Sequence, residues 1–439
     1  MTSSMPDETR ERRLTARDIA ALAILCAIFG INTADRNMLG LLLPQIQRDI
    51  PMSDTEVGWL MGPAFVVVYS IAGVPIAWLA DRTGRRNIIA AGLFFWSLVT
   101  AATGFATSMV QLLAARIALG VGEATNLAPS SALLGDIFQG RRRVMAMAVF
   151  TAGGPLSIMI FFPILGWIST EHSWRLAYPL MGAVGVAVSA LVMLMVREPK
   201  PSESEAAQHE HAVPQGEEVQ TFRQAAATAF SSRTYVLLIC GGTLISLNYS
   251  AMLAWLPTFF SRIHGLDEAQ IGGLLGLYKG LFGVIAALVA GLIVTWLMRF
   301  DERWLAWAPA IFCAVMAPAQ LCLLLSDSQA LWKIGLAVET VMLACVNPCF
   351  FALLITLLPP KIRATGTALF LLIFNLVGQS LGPTIVGMLN DGPLAGFGNT
   401  AIRYSLLTAP TVALIGAIMV LTVSFSMESG KKRESKAAA

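Results

Sequence analysis

Long apolar runs alternate with short polar breaks along the whole chain. The runs have the length a helix needs to cross a membrane, roughly 20 residues for a hydrocarbon layer roughly 30 Å thick. They predict helices over 18–43, 54–80, 87–106, 109–135, 144–169 and 174–196, then over 234–261, 268–298, 304–325, 329–357, 364–390 and 401–425. Between the two sets of six lies "REPKPSESEAAQHEHAVPQGEEVQ", starting at Arg197. Rich in Pro, Ser, Glu and Gln, it reads as a linker, with a surface helix expected near "TFRQAAATAF". The plan is therefore a polar N-tail over 1–17, a six-helix bundle over 18–198, a linker over 199–230, a second six-helix bundle over 231–426 and a basic tail over 427–439. The short alternating segments of a membrane β-barrel are not seen, so the fold class is an all-α membrane protein with twelve transmembrane helices.

Composition agrees. Of 439 residues, 56% are hydrophobic and 13% charged, against about half and a quarter in soluble domains. The net charge of +3 says little, but its placement sets an orientation. Arg10, Arg12, Arg13, Arg17, Arg82, Arg85, Arg86, Arg141, Arg142, Arg143, Arg299, Arg303, Lys361, Arg363 and "KKRESK" fall on the side of the termini and linker. The opposite loops hold Arg48, Arg175, Arg262, Lys333 and Arg403. Both termini and the linker are expected in the cytoplasm of a cell whose inner membrane the chain spans many times. The first apolar run is too long for a cleavable signal. All six cysteines fall in predicted helices and read as small apolar residues; Cys345 and Cys349 share a face without a His or carboxylate partner. No metal, other cofactor or nucleic-acid partner is expected, and no phosphate loop or nucleophile triad suggests an enzyme.

The segment "LADRTGRRNII" (79–89) joins the second and third helices. Asp81 can pair with basic groups or cap a helix, Gly84 permits a tight turn, and Arg82, Arg85 and Arg86 hold the loop on the positive side. "GRRRVMAMAVF" (140–150) after the fourth helix aligns with "PKIRATGTALF" (360–370) after the tenth, which suggests duplicated halves. Duplication and loop together resemble the major facilitator transporters and their motif G-x-L-x-D-R-x-G-R-R, with Ala77 where Gly is usual. That resemblance implies two pseudo-symmetric bundles around a central cavity, alternating access by a monomer, and a loop cluster that locks the halves together in the outward-open state. "ARIALGVGEA" (115–124) resembles the family's fourth-helix pattern, with Arg116, Gly120 and Gly122 in structural roles and the glycines allowing close helix approach. Gly153, Gly154 and Pro155 match the fifth helix of antiporters only in residue type.

Charges inside predicted helices are the candidate chemistry. Asp35 and Arg36 stand in the first, Arg116 and Glu123 in the fourth. A charge at membrane depth costs about 3 kcal/mol or more, so it faces a cavity and finds a partner. Neighbouring residues diverge by about 100° around a helix, so Asp35 and Arg36 point different ways. Burial and a nearby cation pull a carboxyl's protonation in opposite senses, which makes Asp35 a candidate switch coupled to substrate movement. The competing reading is a static network that fixes helix packing. Since the first and fourth helices are cavity neighbours in major facilitators, Arg36 and Glu123 are expected to pair. Lys279 and Glu339 are two further charges that could snorkel to the outer interface. Candidate wall residues are Phe65, Tyr69, Tyr249, Trp255, Phe351 and Phe374, with polar contacts from Asn126, Asn248, Asn347, Asn375 and Gln379; core packing is the alternative for each.

"NTADRNMLGLLLP", the Trp96–Ser97 pair, and Arg116 to Ala124 running on to Asp136 and Phe138 together resemble the Spinster family. This implies proton-linked transport of amphiphilic lipids of the sphingolipid or lysophospholipid type, across the lipid bilayer. It also implies Asp35, with Glu123, as the proton-coupling carboxylates. Substrate contacts would come from Arg36, Glu123, Asn126, Tyr69, Trp255 and Phe374. The symporters of sugar acids and organic anions share the Asp-Arg and Gly-Glu-Ala features but usually continue with G-N-F-P, where this chain has "GEATNLAP". A non-transporting lipid sensor on the same fold is the third reading. In either transporter reading Arg36 meets an anionic group.

Overall fold

The computed structural model describes residues 14–198, 222–299, 303–359 and 362–437. The predicted tail over 1–17 and linker over 199–230 lie largely outside the described residues. Inside them the chain is helical: α1 (Ala16–Asp49), α2 (Asp54–Met61), α3 (Pro63–Thr83), α4 (Arg85–Thr103), α5 (Met109–Glu123), α6 (Leu127–Ile137), α7 (Gly140–Glu171) and α8 (Trp174–Met195). There follow the surface helix α9 (Phe222–Ser231), α10 (Arg233–His264), α11 (Glu268–Leu275), α12 (Gly283–Leu297), α13 (Trp304–Leu325), α14 (Gln329–Leu357), α15 (Arg363–Ile373), α16 (Ser380–Asp391), α17 (Ala401–Ser405) and α18 (Thr408–Ala437). Two π-helical stretches, Gly276–Phe282 and Phe374–Gln379, join α11 to α12 and α15 to α16.

The helix starts carry the capping residues that main-chain chemistry favours. Thr15 with Asp18, Ser53 with Glu56, and Asp267 with Gln270 form reciprocal capping boxes. Gly84 turns the chain between α3 and α4 at φ 102°, which a residue with a Cβ rarely adopts. Three elements differ from the hydropathy reading. First, α1 continues through Pro44 to Asp49. A proline removes one hydrogen bond, and neighbouring helices in a membrane bundle make up for it. Second, α18 runs on through the basic tail to Ala437. Third, eleven helices among the described residues are unbroken, long and apolar enough to cross a membrane, and the predicted fourth span is the one that is interrupted. The fourth span is split into α5 and α6 at residues 124–126. Pro129 has no N–H for the carbonyl of Thr125, and Thr125 and Asn126 instead bond back to Gly122 and Glu123, at 3.2 and 3.1 Å.

Most helices of α1 to α8 and of α10 to α18 pack within their own half, while α2 packs chiefly on α16 and α11 on α7, across the halves. Large apolar side chains cover the outside: Val74, Phe105 and Leu292 are 73–75% exposed, which only a hydrocarbon surrounding satisfies. Where the halves meet, a stripe of Gly272, Gly276 and Gly280 lies against Phe162, Pro163 and Met159 of α7.

This stripe gives a paired test. A Cβ at Gly280 would lie 2.6 Å from the Met159 main chain, whereas one at Gly273 meets nothing within 4 Å. Gly280→Ala is expected to cost about 1–3 kcal/mol through overpacking. Gly273→Ala gains up to about 1 kcal/mol from helix propensity. Melting temperatures in detergent should therefore move in opposite directions.

Candidate functional site

Between the halves lies a cavity of about 300 Å³. Its wall on α1 is a stripe of Phe29, Asn32, Thr33, Arg36, Asn37 and Gly40, which share one face at spacings of three and four. Met61, Phe65, Val66 and Tyr69 come from α2 and α3, Tyr249, Ser250, Leu253 and Ala254 from α10, and Asn375 and Gln379 from the second π-helical stretch. One part of the surface is thus aromatic and aliphatic, another rich in amides.

Arg36 is the cation in this wall. Its Nη2 and Nε donate to Glu123 Oε2 at 3.2 and 3.4 Å. Its guanidinium lies over the rings of Phe65 and Tyr69, 4.6 and 4.8 Å from their centroids. Glu123 is fully buried behind it, at the C-terminus of α5 where the fourth span breaks. Its second oxygen, Oε1, has no partner among the described residues. Asp35 points away from the cavity, toward α4. It is 2% exposed; Thr100 Oγ1 donates to its Oδ2, while Oδ1 is left without a partner among the described residues. Arg116, buried near Tyr178, donates to the main-chain oxygen of Arg36 at 3.4 Å. A single cluster therefore joins Asp35, Arg36, Arg116 and Glu123, with only Arg36 in the cavity wall.

The remaining expected residues divide. Phe65, Tyr69, Tyr249, Asn375 and Gln379 line the cavity. Trp255 does not: it is fully buried and its indole N–H donates to the Pro383 carbonyl at 2.9 Å, tying α10 to α16. Phe374 packs within the second half against Phe370, and Asn126 is buried with its Oδ1 accepting from Ser130. Asn248 bonds reciprocally to Gln320, at 2.9 and 3.2 Å. The side chains of Asp81, Asn347 and Phe351 lie outside the described residues. In the last turn of α3 Arg82 stacks on Trp78, and at the first residue of α4 Arg85 pairs with Asp136. The start of α4 is capped by Glu198, which accepts from the main-chain N–H groups of Arg85 and Arg86 at 2.6 and 2.8 Å. Gly120 and Gly122 admit close neighbours, the Phe65 carbonyl and Trp96. Lys279 and Glu339 do not snorkel; they form a buried ion pair within the second half.

Sequence reasoning missed the α1 stripe beyond Arg36, although its spacing was there to find. It also missed a seal between the halves at the end of the bundle where α1 meets α2. Arg262 of α10 grips Asp54 with both terminal nitrogens at 2.6 Å and reaches Gln47 at 3.1 Å. Asn390 donates to Asp54 at 2.8 Å, and Asp391 accepts from the Thr55 N–H at 2.6 Å. Gln45 donates to Glu268 at 3.0 Å, and Thr384 Oγ1 to the Gly58 carbonyl at 3.1 Å.

Comparison with known proteins places these features in a wider set. The model of the Major Facilitator Superfamily matches residues 25–383. An MFS-type efflux pump of Mycolicibacterium smegmatis is 29% identical over 411 residues, 93% of each chain. A probable L-galactonate transporter of Escherichia coli is 29% identical over 67% of this chain and 66% of its own length. Protein spinster homolog 3 of Danio rerio is 24% identical over 95% of this chain and 86% of its own. Among solved structures, a bacterial homologue of the human lysosomal transporter Spinster, inward-facing and unoccupied, superimposes with TM-score 0.77 at 22% identity, covering 94% of this chain and 98% of that one.

The seal is testable without a substrate. Charge-assisted hydrogen bonds contribute about 1.5–3 kcal/mol, so Arg262→Gln should raise the open fraction of this end about tenfold or more. A cysteine at Thr384, 3% exposed here, in an otherwise cysteine-free chain should be alkylated faster by that factor. An unchanged rate would mean that these contacts do not hold the end closed.

Proposed function

The chain belongs to the major facilitator superfamily of membrane transporters, and from that premise we propose that it is a proton-coupled secondary transporter working by alternating access, whose cargo is an amphiphile with an anionic head group. The observation that carries this reading is Arg36: a guanidinium in the cavity wall, flanked by the faces of Phe65 and Tyr69 and held from behind by the buried Glu123.

An anionic head group competes with Glu123 for Arg36. When it wins, Glu123 is left as a buried carboxylate without its cation, and uptake of a proton relieves that cost. Cargo and proton therefore arrive together. Asp35 lies on the far side of α1, between Thr100 and the field of Arg116, and serves as a second acceptor through which proton uptake is passed to the packing of α1 on α4. Tyr69, Phe65 and Met61 receive the apolar part of the cargo. The Lys and Arg distribution supports cytoplasmic termini; the Asp54–Arg262 seal then faces the exterior. The carrier works as a monomer, as its resemblance to the family implies. A second reading, a carrier of sugar acids, is favoured by the amides of Asn32, Asn375 and Gln379 in the wall.

The experiment is binding and proteoliposome uptake as a function of pH, with a lysophospholipid and a hexuronate as the two probes. Affinity for the anionic probe should fall as pH rises, because Glu123 regains its negative charge and reclaims Arg36. Glu123→Gln should bind with little pH dependence, and Arg36→Gln should lose at least about tenfold in affinity, the value of one charge-assisted contact. Asp35→Asn should fold and bind but lose stimulation of uptake by an imposed proton gradient. Full pH dependence in Glu123→Gln would overturn the exchange mechanism.

A further inference from the structure

One hydroxyl in the first half has two acceptors and a single hydrogen. Asp35 turns away from the cavity, and the donor to its Oδ2 is Thr100 Oγ1 of α4. The same hydroxyl donates to the Trp96 carbonyl, one turn back on α4, at 3.0 Å. Both residues are buried, Asp35 at 2% and Thr100 at 1% exposure. A hydroxyl cannot serve two acceptors fully with one hydrogen. Which of them it serves depends on the charge of Asp35.

With Asp35 ionised, its Oδ2 is the stronger acceptor and takes the Thr100 hydrogen. With a proton on Oδ2, the acid becomes a donor. Its hydrogen goes to Thr100 Oγ1, the oxygen that Oδ2 already contacts, and the Thr100 hydrogen swings onto the Trp96 carbonyl. One proton is gained, none is released, and each hydrogen keeps an acceptor. A threonine bonded back to the carbonyl four residues earlier bends a helix. Protonation of Asp35 therefore favours a bend of α4 at Trp96. The charged and titratable groups acting on Asp35 are, among the described residues, Arg36 on its own helix, Arg116 and Glu123 on α5 and Tyr178 on α8.

Trp96 is where α4 meets the broken fourth span. A Cβ on Gly122 would lie 2.7 Å from Trp96 Cβ and 3.3 Å from its Cα, and a Cβ on Gly92 would overlap Thr125. These two contacts bracket Glu123, with Gly122 before it and Thr125 after it. The opposite face of α4 is pinned to α8. Ser189 Oγ donates to the Ala90 carbonyl at 2.9 Å, and Gly182 and Gly185 admit Ser97. A bend at Trp96 is therefore taken up on the α5 side, at the residues that carry Glu123. We propose that Thr100 is a positioning residue that couples the two carboxylates: its hydroxyl reverses when Asp35 takes a proton, α4 bends, and the break that holds Glu123 against Arg36 shifts. This rests on the reading of Asp35 as a proton acceptor.

The test is hydrogen exchange of the full-length protein in detergent, without cargo, at acidic and alkaline pH and corrected for intrinsic exchange. In the wild type, acid should speed exchange of the segments 92–100 and 122–126 by about threefold or more, the worth of one hydrogen bond. Thr100→Ser keeps the hydroxyl and should keep the response in both segments. Thr100→Val fills the same space without a hydroxyl and should lose the response in both. Should Thr100→Val fail to fold, Thr100→Ala removes the hydroxyl with less bulk and should show the same loss. An acid response that survives loss of the hydroxyl, or that disappears in Thr100→Ser, overturns the proposal, as does a wild type without one. Asp35→Asn separates the two readings. It should be unresponsive to pH, and a full response there would overturn Asp35 as the acceptor rather than Thr100 as the link.

Discussion

The arrangement depends on one constraint: a charge placed at membrane depth must be answered by another group or by the cavity. Arg36 is answered on both sides. Glu123 faces it from α5, and the rings of Phe65 and Tyr69 present their negative faces to it from α3. Because Glu123 is fully buried, the pair cannot be separated without leaving a bare carboxylate in a medium of low dielectric. Any event that draws Arg36 toward the cavity therefore changes the protonation demand of the helix behind it. The break between α5 and α6 places that carboxylate at a helix end, where a few residues rather than a whole helix can move.

The two halves meet the constraint differently. In the first half, Asp35 Oδ1 and Glu123 Oε1 each lack a partner among the described residues. In the second, Glu339 has donors on both oxygens, from Lys279 and Thr340 on one side and Gln320 on the other. The two halves thus hold their buried carboxylates in different hydrogen-bonding surroundings among the described residues.

Much of the architecture was legible because the membrane imposes length. Twelve apolar runs mark most helices to within a few residues, α1, α18 and the broken fourth span apart, and adjacency of Asp35 and Arg36 alone requires that they face different neighbours. What periodicity could not disclose was tertiary. Trp255 reads as a cavity aromatic until its N–H is seen on the Pro383 carbonyl. Lys279 and Glu339 are 60 residues apart, and nothing local distinguishes a paired charge from one reaching for an interface. Asp54 hides within the capping box of Ser53 and Glu56, where an acidic first turn needs no further explanation. Its grip on Arg262 exists only because the two halves close on each other.

That closure explains why small residues and irregular turns gather where they do. Gly58, Gly62 and Gly387 bring α2 against α16 at the sealed end, and Gly272, Gly276 and Gly280 bring the second half against α7. Contacts between main chains lack interlocking side chains, so the surfaces can pivot without forcing rotamers out of their wells. The first π-helical stretch carries Gly276 and Gly280 of that stripe, and the second carries Asn375 and Gln379 of the cavity wall. A π turn holds one residue more than the α-helical ladder needs, and shifting it by one position rotates the side chains it bears by about 100°. Close main-chain approach between the halves and side chains that line the cavity therefore fall on neighbouring short segments.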